Sequence, residues 1–560
     1  MNDTAVPWVE GLTIGGVLRE VARRRQDADA QVFPQFQVRR SYRQFDDEVD
    51  SAARALLALG VGRGDHVGLW ATNWPHWPVV QFATARIGAV LVTINPAYRA
   101  HELAYVLKQS DCQLLFLIDK FKRSDYFAML HEAAPGLAAA RRGELNLADF
   151  PRLRHIVSLA AGALPEMWGW DKFLGQGAGV PSEQLDACAA QLCPNDPINI
   201  QYTSGTTGFP KGAMLSHRNL LLNAFYVGAC QQFSEQDRLC TPVPFYHCFG
   251  CVLGVLCAAV YGAALIVPHE YFLPEATLEA IEAERATALY GVPTMYIAML
   301  DNPTRPERRL GSLRTGIMSG SPCPLEVMQR VLKEMGVADI TIAYGETEAS
   351  PVITQTRCDD PVELRVKTVG RPIPGIEVKI VDPASGEPLG PNQQGELCTR
   401  GHLVMLGYYN MPEQTARAID ADGWLHTGDL ATRLDNGCYR ITGRIKDLVI
   451  RGGENIYPRE IEECLYTHPA VQDVAVVGVP DTRYIEELAA WIRLKPGATA
   501  TEDEIRRYCQ AHLAHFKSPR YVRFVTEFPQ TVTGKIQKFK IREVMIAELG
   551  LGAAAEREMA

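Results

Sequence analysis

The stretch Tyr202-Thr-Ser-Gly-Thr-Thr-Gly-Phe-Pro-Lys-Gly-Ala-Met-Leu-Ser-His217 concentrates hydroxyls, glycines and one lysine in a single loop. Gly205, Gly208 and Gly212 can take φ > 0 and turn backbone N–H groups inward to form an anion-binding concavity. Thr203, Ser204, Thr206 and Thr207 add hydroxyl donors, and Lys211, which follows Phe209 and Pro210, adds charge. A polyphosphate is the natural guest. The spacing is not that of the NTPase P-loop, which puts four residues between its glycines and follows the second with Lys and Ser/Thr. Here two residues separate Gly205 from Gly208, and Gly212 follows the lysine. Ile198 to Tyr202 alternates like a strand, while Leu220, Leu221, Ala224 and Phe225 mark one face of a helix with Ser216 near its N-cap. The expected setting is therefore strand, loop, helix.

Further clusters follow in order: Tyr344-Gly-Glu-Thr-Glu348, Gly423-Trp-Leu-His-Thr-Gly-Asp429, Gly443-Arg-Ile-Lys-Asp447, Gly452-Gly-Glu-Asn-Ile-Tyr-Pro-Arg-Glu-Ile-Glu462 and Pro529-Gln-Thr-Val-Thr-Gly-Lys535. Together with the loop, this series resembles the core motifs of the adenylate-forming superfamily, which includes acyl-CoA synthetases, luciferases and peptide-synthetase adenylation domains. The match covers about the last two-thirds of the chain. The resemblance implies that a carboxylic acid is activated with ATP and Mg²⁺ to an acyl-adenylate and then passed to coenzyme A.

By that resemblance Lys535 bridges the carboxylate and the α-phosphate, Thr347 touches the α-phosphate, and Tyr344 stacks on adenine. Glu348 helps hold Mg²⁺, a hard cation suited to a carboxylate, phosphate oxygens and water. Glu346 departs from the apolar residue common at its place, so two carboxylates compete for the metal; Glu348 is favoured. Asp429 is assigned to the ribose, since one carboxylate accepts from two vicinal hydroxyls, and Arg444 to the ribose or a phosphate. Lys446 holds the hinge position, about which the C-terminal domain turns between half-reactions.

Tyr246, His247, Phe249 and Gly250, within Phe245-Tyr-His-Cys-Phe-Gly250, resemble the acyl-pocket motif. Amino-acid-activating relatives carry an aspartate there, and this chain has none. The pocket texture looks most like that of medium-chain fatty acyl-CoA synthetases. An aromatic-acid CoA ligase is the alternative within the superfamily, because aryl and alkyl tails both require an apolar tunnel. A non-catalytic fatty-acid carrier or uptake protein is a third reading, disfavoured because lipid binding alone needs none of Lys211, Glu348, Asp429, Arg444 and Lys535.

These residues must be held by more than one core, because 560 residues exceed what a single core organises. Apolar runs such as Val90 to Ile94 and Leu114 to Ile118 alternate with helical stretches, which predicts an α/β class. The expected architecture is a large N-terminal domain, 1–443, of parallel-sheet α/β subdomains plus a β-rich subdomain from Pro372. A hinge at 444–447 and a small α+β C-terminal domain at 448–560 complete it. A formal net charge of -9 argues against a nucleic-acid partner. Fourteen scattered cysteines without a secretory signal read as reduced thiols of a cytoplasmic protein. Cys248-Phe-Gly-Cys251 lacks the second cluster that a metal or redox site would need. The twenty uncharged residues from Cys248 to Val267 could span a bilayer, but their glycines and Pro268 favour a buried helix followed by a buried strand. Small-molecule partners are expected, with peripheral membrane contact left open.

Overall fold

The computed structural model describes residues 6–203, 210–321, 323–452, 454–531 and 536–551. The chain forms two compact units, one of residues 1–366, 370–377 and 399–425, the other of 367–369, 378–398 and 426–560. The second unit is thus broader than the 448–560 domain read from the sequence, taking in strands on both sides of Gly443. Gly443 itself lies against the Tyr457 ring.

Among the described residues, the first unit contains a nine-stranded and an eight-stranded sheet, both mainly parallel, as the alternation of apolar runs and helices predicts. Strands Val90–Thr93, His66–Trp70 and Leu114–Leu117 are apolar and almost wholly buried, the mark of sheets covered on both faces. The covering helices follow the same rule. His76–Ile87 is buried at all but its first residue, and His217–Cys230 is buried along nearly its whole length. A helix apolar around its circumference can only be an interior helix.

The expected strand–loop–helix around the phosphate-binding stretch is corrected by the structure. Pro197–Thr203 and Lys211–Ser216 are antiparallel partners, with Thr203 opposite Lys211 and Tyr202 opposite Gly212. The strands on either side of the loop pair with each other, and the helix begins one strand later than expected. Gly212 serves that pairing, because a Cβ there would press on Ile200. Ser216 is the N-cap as expected, in a capping box with Asn219.

The uncharged Cys248–Val267 run is buried helix and strand, in agreement with expectation. Its first part is a π-helix, Phe249–Leu256, continuing as an α-helix, Cys257–Tyr261, and a strand, Ala264–Ile266. No helix among the described residues is long and apolar enough to cross a membrane. All fourteen cysteines are free thiols, ten of them buried. Cys248 and Cys251 share one buried amide: Cys248 donates to Gln201 Oε1 at 3.0 Å, and Gln201 Nε2 donates to Cys251 at 2.9 Å.

The second unit is α+β. Its central strands, Val471–Asp481 and Ile485–Leu494, alternate strictly. Val474, Val476, Leu488, Ala490 and Ile492 face one core with Ile461, Leu465 and Ile505. Ala475, Val477, Val479, Ala489 and Trp491 face another with Ile541 and Met545. Helices thus cover both faces of one sheet.

At the turn of this hairpin, Ile485 is held at φ 74° and is 57 % exposed. A β-branched residue in the left-handed region costs about 1–3 kcal/mol, and little apolar burial offsets it here. Ile485→Gly is expected to stabilise this unit by about 1 kcal/mol, after the entropy that glycine adds to the unfolded chain is subtracted. Urea unfolding followed by a probe in residues 448–551 should show a higher midpoint; an unchanged or lower midpoint would contradict the strain.

Candidate active site

The two sheets of the first unit meet at a carboxylate. Thr203 ends a strand that runs parallel to its neighbour in the eight-stranded sheet. Tyr344 is the last residue but one of Asp339–Gly345, a strand of the nine-stranded sheet that runs parallel to Thr315–Ser319, and Glu348 lies in the short 3₁₀ turn that follows. Thr203 Oγ1 donates to Glu348 Oε1 at 3.1 Å, and Tyr408 OH donates to the same oxygen at 2.8 Å. Lys211 Nζ stands 4.4 Å from the centre of the Tyr408 ring. Carboxyl ends of parallel strands are where open α/β sheets bind ligands, and here two such edges converge.

Tyr408 was not among the residues singled out from the sequence. Its only signal is position in Gly407–Tyr408, a two-residue strand paired with Lys211–Ser216 at Ala213 and Met214. Burial, then the Glu348 carboxylate, pushes its phenol well above the usual range, so it remains a hydrogen-bond donor at neutral pH. Glu346 also bears on Tyr408 through its charge, but the hydroxyl donors converge on Glu348.

The His247 segment joins the same region. Cys248 is buried, and its thiol is raised well above its ordinary value, first by desolvation, with neighbouring Cys251 and Glu348 adding to the effect and the Thr347 hydroxyl opposing it. Thr347 and Glu348 are therefore close neighbours of the Tyr246–Gly250 motif. His247 Nδ1 accepts from the Phe249 N–H at 3.2 Å, which orients the ring, and the Phe249 ring packs 6.0 Å from that of Tyr290. Gly250 has a packing reason: a Cβ there would run into the Pro244 carbonyl. A π-helical turn starting at Phe249 fits the frequent placing of such turns at functional sites.

In the second unit, Asp429 and Arg444 are cross-strand partners, with Arg444 Nε 2.7 Å from Asp429 Oδ1. The Asp429 side chain is buried. Lys446 lies exposed in the 3₁₀ turn Ile445–Asp447. Ser204, Gly205, Thr206, Thr207, Gly208, Phe209 and Lys535 fall outside the described residues. On either side of them, Thr203 pairs with Lys211, the Pro210 carbonyl accepts from Tyr105 OH at 3.1 Å, and Gln530 bridges to Ile536.

Residues 18–409 match the model of the AMP-binding enzyme family, and residues 460–535 match that of the AMP-binding enzyme C-terminal domain. The chain belongs to the AMP-binding enzyme family. Among its relatives, YngI of Bacillus subtilis (strain 168), assigned by name to the acyl-CoA synthetases, is 50 % identical over 97 % of this chain and 98 % of its own. The mitochondrial medium-chain acyl-CoA ligase ACSF2 of Danio rerio is 44 % identical over 97 % of this chain and 90 % of its own. The crystal structure of the anthranilate CoA ligase AuaEII in complex with anthranoyl-AMP superposes with a TM-score of 0.85 at 27 % identity, covering 98 % of this chain and all of that one. The α/β architecture expected from the alternation of apolar runs and helical stretches is that of this family, and the protein is an adenylate-forming ligase.

Proposed function

We propose that this enzyme converts a medium-chain fatty acid to its acyl-adenylate, releasing pyrophosphate, and then to acyl-CoA, releasing AMP. The observation that carries the reading is the convergence of Thr203, Tyr408 and the Tyr246–Gly250 motif on Thr347 and Glu348. The end of strand Pro197–Thr203, the Glu348 carboxylate and an apolar, uncharged segment lie side by side there, which supports a site for a phosphate, a cation and an apolar acid.

A carboxylate is a poor acyl donor because attack must expel an oxide; making that oxygen part of AMP supplies a good leaving group. The acid oxygen attacks the α-phosphate in line, so the protein's work is positioning and stabilising spread negative charge. Lys211 and the loop residues 204–209 hold the β- and γ-phosphates, Thr347 the α-phosphate, Tyr344 the adenine, and Asp429 with Arg444 the ribose. The half-buried oxygen donor set at Glu348 fits Mg²⁺, which binds one or two carboxylates beside substrate phosphates. When bound there, Mg²⁺ neutralises phosphate charge. Lys535 stabilises the developing charge in the first step. It must then withdraw to admit the thiol, which is the role proposed for rotation about Lys446.

The pocket wall from Tyr246 to Val267 carries no Asp, Glu, Lys or Arg and is almost wholly buried. Each methylene that it buries is worth about 0.8 kcal/mol, roughly fourfold in kcat/KM when expressed in the transition state. Activity is therefore expected to climb from acetate through hexanoate to octanoate, then level or fall as the acid meets the end of the pocket. The likeness to an anthranilate CoA ligase supports an aromatic acid as the second reading. Measuring kcat/KM for saturated acids beside benzoate and 4-coumarate separates the two; preference for acetate or an aryl acid would overturn the fatty-acid assignment.

A further inference from the structure

The strand Gln394–Gly401 and its sheet neighbour Leu425–Arg433 bring together three side chains that the adenylation chemistry leaves unused. Glu396 and Cys398 are two residues apart and so share one face of their strand. His426 faces both from the adjacent strand. Its Nδ1 lies 2.8 Å from Glu396 Oε2 and 3.4 Å from Cys398 Sγ, and the three donor atoms fall within 4.8 Å of one another. Cys398 is buried, Glu396 nearly so, and His426 is about one-third exposed, which leaves a solvent-facing side.

We propose that Glu396, Cys398 and His426 form a zinc-binding site whose occupation weakens nucleotide binding. Sulfur, imidazole and carboxylate together suit a borderline cation and not Mg²⁺ or Ca²⁺, which take oxygen. With zinc–ligand bonds of about 2.3 Å to sulfur and about 2.0 Å to nitrogen or oxygen, tetrahedral donors stand about 3.5 Å apart for S and N, and about 3.3 Å for N and O. The Cys398–His426 separation already has this value. The Glu396–His426 contact, now a hydrogen bond, must open by about half an ångström on the same geometry. Binding releases the Cys398 thiol proton to solvent and requires His426 to give up the Nδ1 proton that faces Glu396, becoming the neutral Nε2–H tautomer whose Nδ1 lone pair turns to the metal.

The coupling runs through Glu396. Its second oxygen accepts from the Gly428 N–H at 2.9 Å, immediately before Asp429. A metal that draws this carboxylate toward itself loosens the turn that presents Asp429. This part of the proposal rests on the ribose role of Asp429; the metal site does not.

The test uses the full-length protein, stripped with chelator and titrated with zinc chloride by calorimetry, alongside Cys398→Ser and His426→Gln. One zinc per chain is expected. Each substitution should weaken it by more than the ~10–100-fold that loss of an outer-sphere partner costs. Cobalt(II) in place of zinc should give a thiolate charge-transfer band that disappears in Cys398→Ser, the other cysteines being intact. Absence of stoichiometric binding, or binding and a cobalt spectrum unchanged in Cys398→Ser, would overturn the site. Cys398→Ser is nearly isosteric, so it decides the matter even where His426→Gln fails to fold. In zinc-buffered assays with excess Mg²⁺, zinc should raise the KM for ATP several-fold in the parent enzyme and not in Cys398→Ser. One bound zinc with an unmoved KM would overturn the coupling alone.

Discussion

Lys535→Ala is expected to lower the rate of acyl-adenylate formation by at least ~10²–10³-fold, the cost of removing one preorganised group from a developing charge. Thioester formation from supplied acyl-adenylate should stay within a few-fold of the parent, because in the proposed cycle Lys535 has left the site before the thiol attacks. The asymmetry is what identifies the role. A lysine that merely supported the C-terminal unit would slow both half-reactions together. Single-turnover measurement of each half-reaction separates the outcomes, and equal losses would remove the assignment.

Glu348→Gln is the second large effect. The amide oxygen can still accept from Thr203 and Tyr408, which hold Glu348 at 3.1 and 2.8 Å, so the junction between the two sheets should survive. What disappears is the negative charge. We expect kcat/KM for adenylation to fall about 10²-fold or more, with a higher Mg²⁺ requirement and an unchanged unfolding midpoint. Glu346→Gln is the internal control. Thr203 and Tyr408 both donate to Glu348, which assigns the metal to that carboxylate, so the effect of Glu346→Gln on adenylation should be within a few-fold. Comparable losses in both variants would mean that the metal is shared, contrary to the assignment of Glu348.

How far the sequence reached depended on the range of the physics involved. Ser216 was legible as an N-cap because a capping residue and the helix face it starts are local. The strand Lys211–Ser216 was not, because six residues with a lysine and a glycine at one end carry little period-two signal. Pairing with Tyr202 and Thr203 across the loop makes it a strand. The buried helix and strand after Cys248 followed from unbroken apolarity, whereas the π-helical turn within it depends on tertiary packing. Glu348 could be chosen over Glu346 only through the resemblance; the structure adds the hydroxyls that converge on it. Tyr408 was invisible for the same reason, since its partner lies sixty residues away. Glu396, Cys398 and His426 were missed because i, i+2 spacing on one strand and a single residue on its neighbour form no recognisable ligand pattern in one dimension. Sheet neighbourhood alone brings them together.

The central claim is that the acid oxygen itself becomes bonded to the α-phosphate. The enzyme should therefore be given octanoate labelled with heavy oxygen in its carboxylate, together with ATP, Mg²⁺ and coenzyme A, and the nucleotide product analysed by mass spectrometry. Adenylation predicts AMP carrying one heavy oxygen per octanoyl-CoA formed, with unlabelled pyrophosphate. Label in inorganic phosphate with ADP as the nucleotide product, or unlabelled AMP, would contradict it.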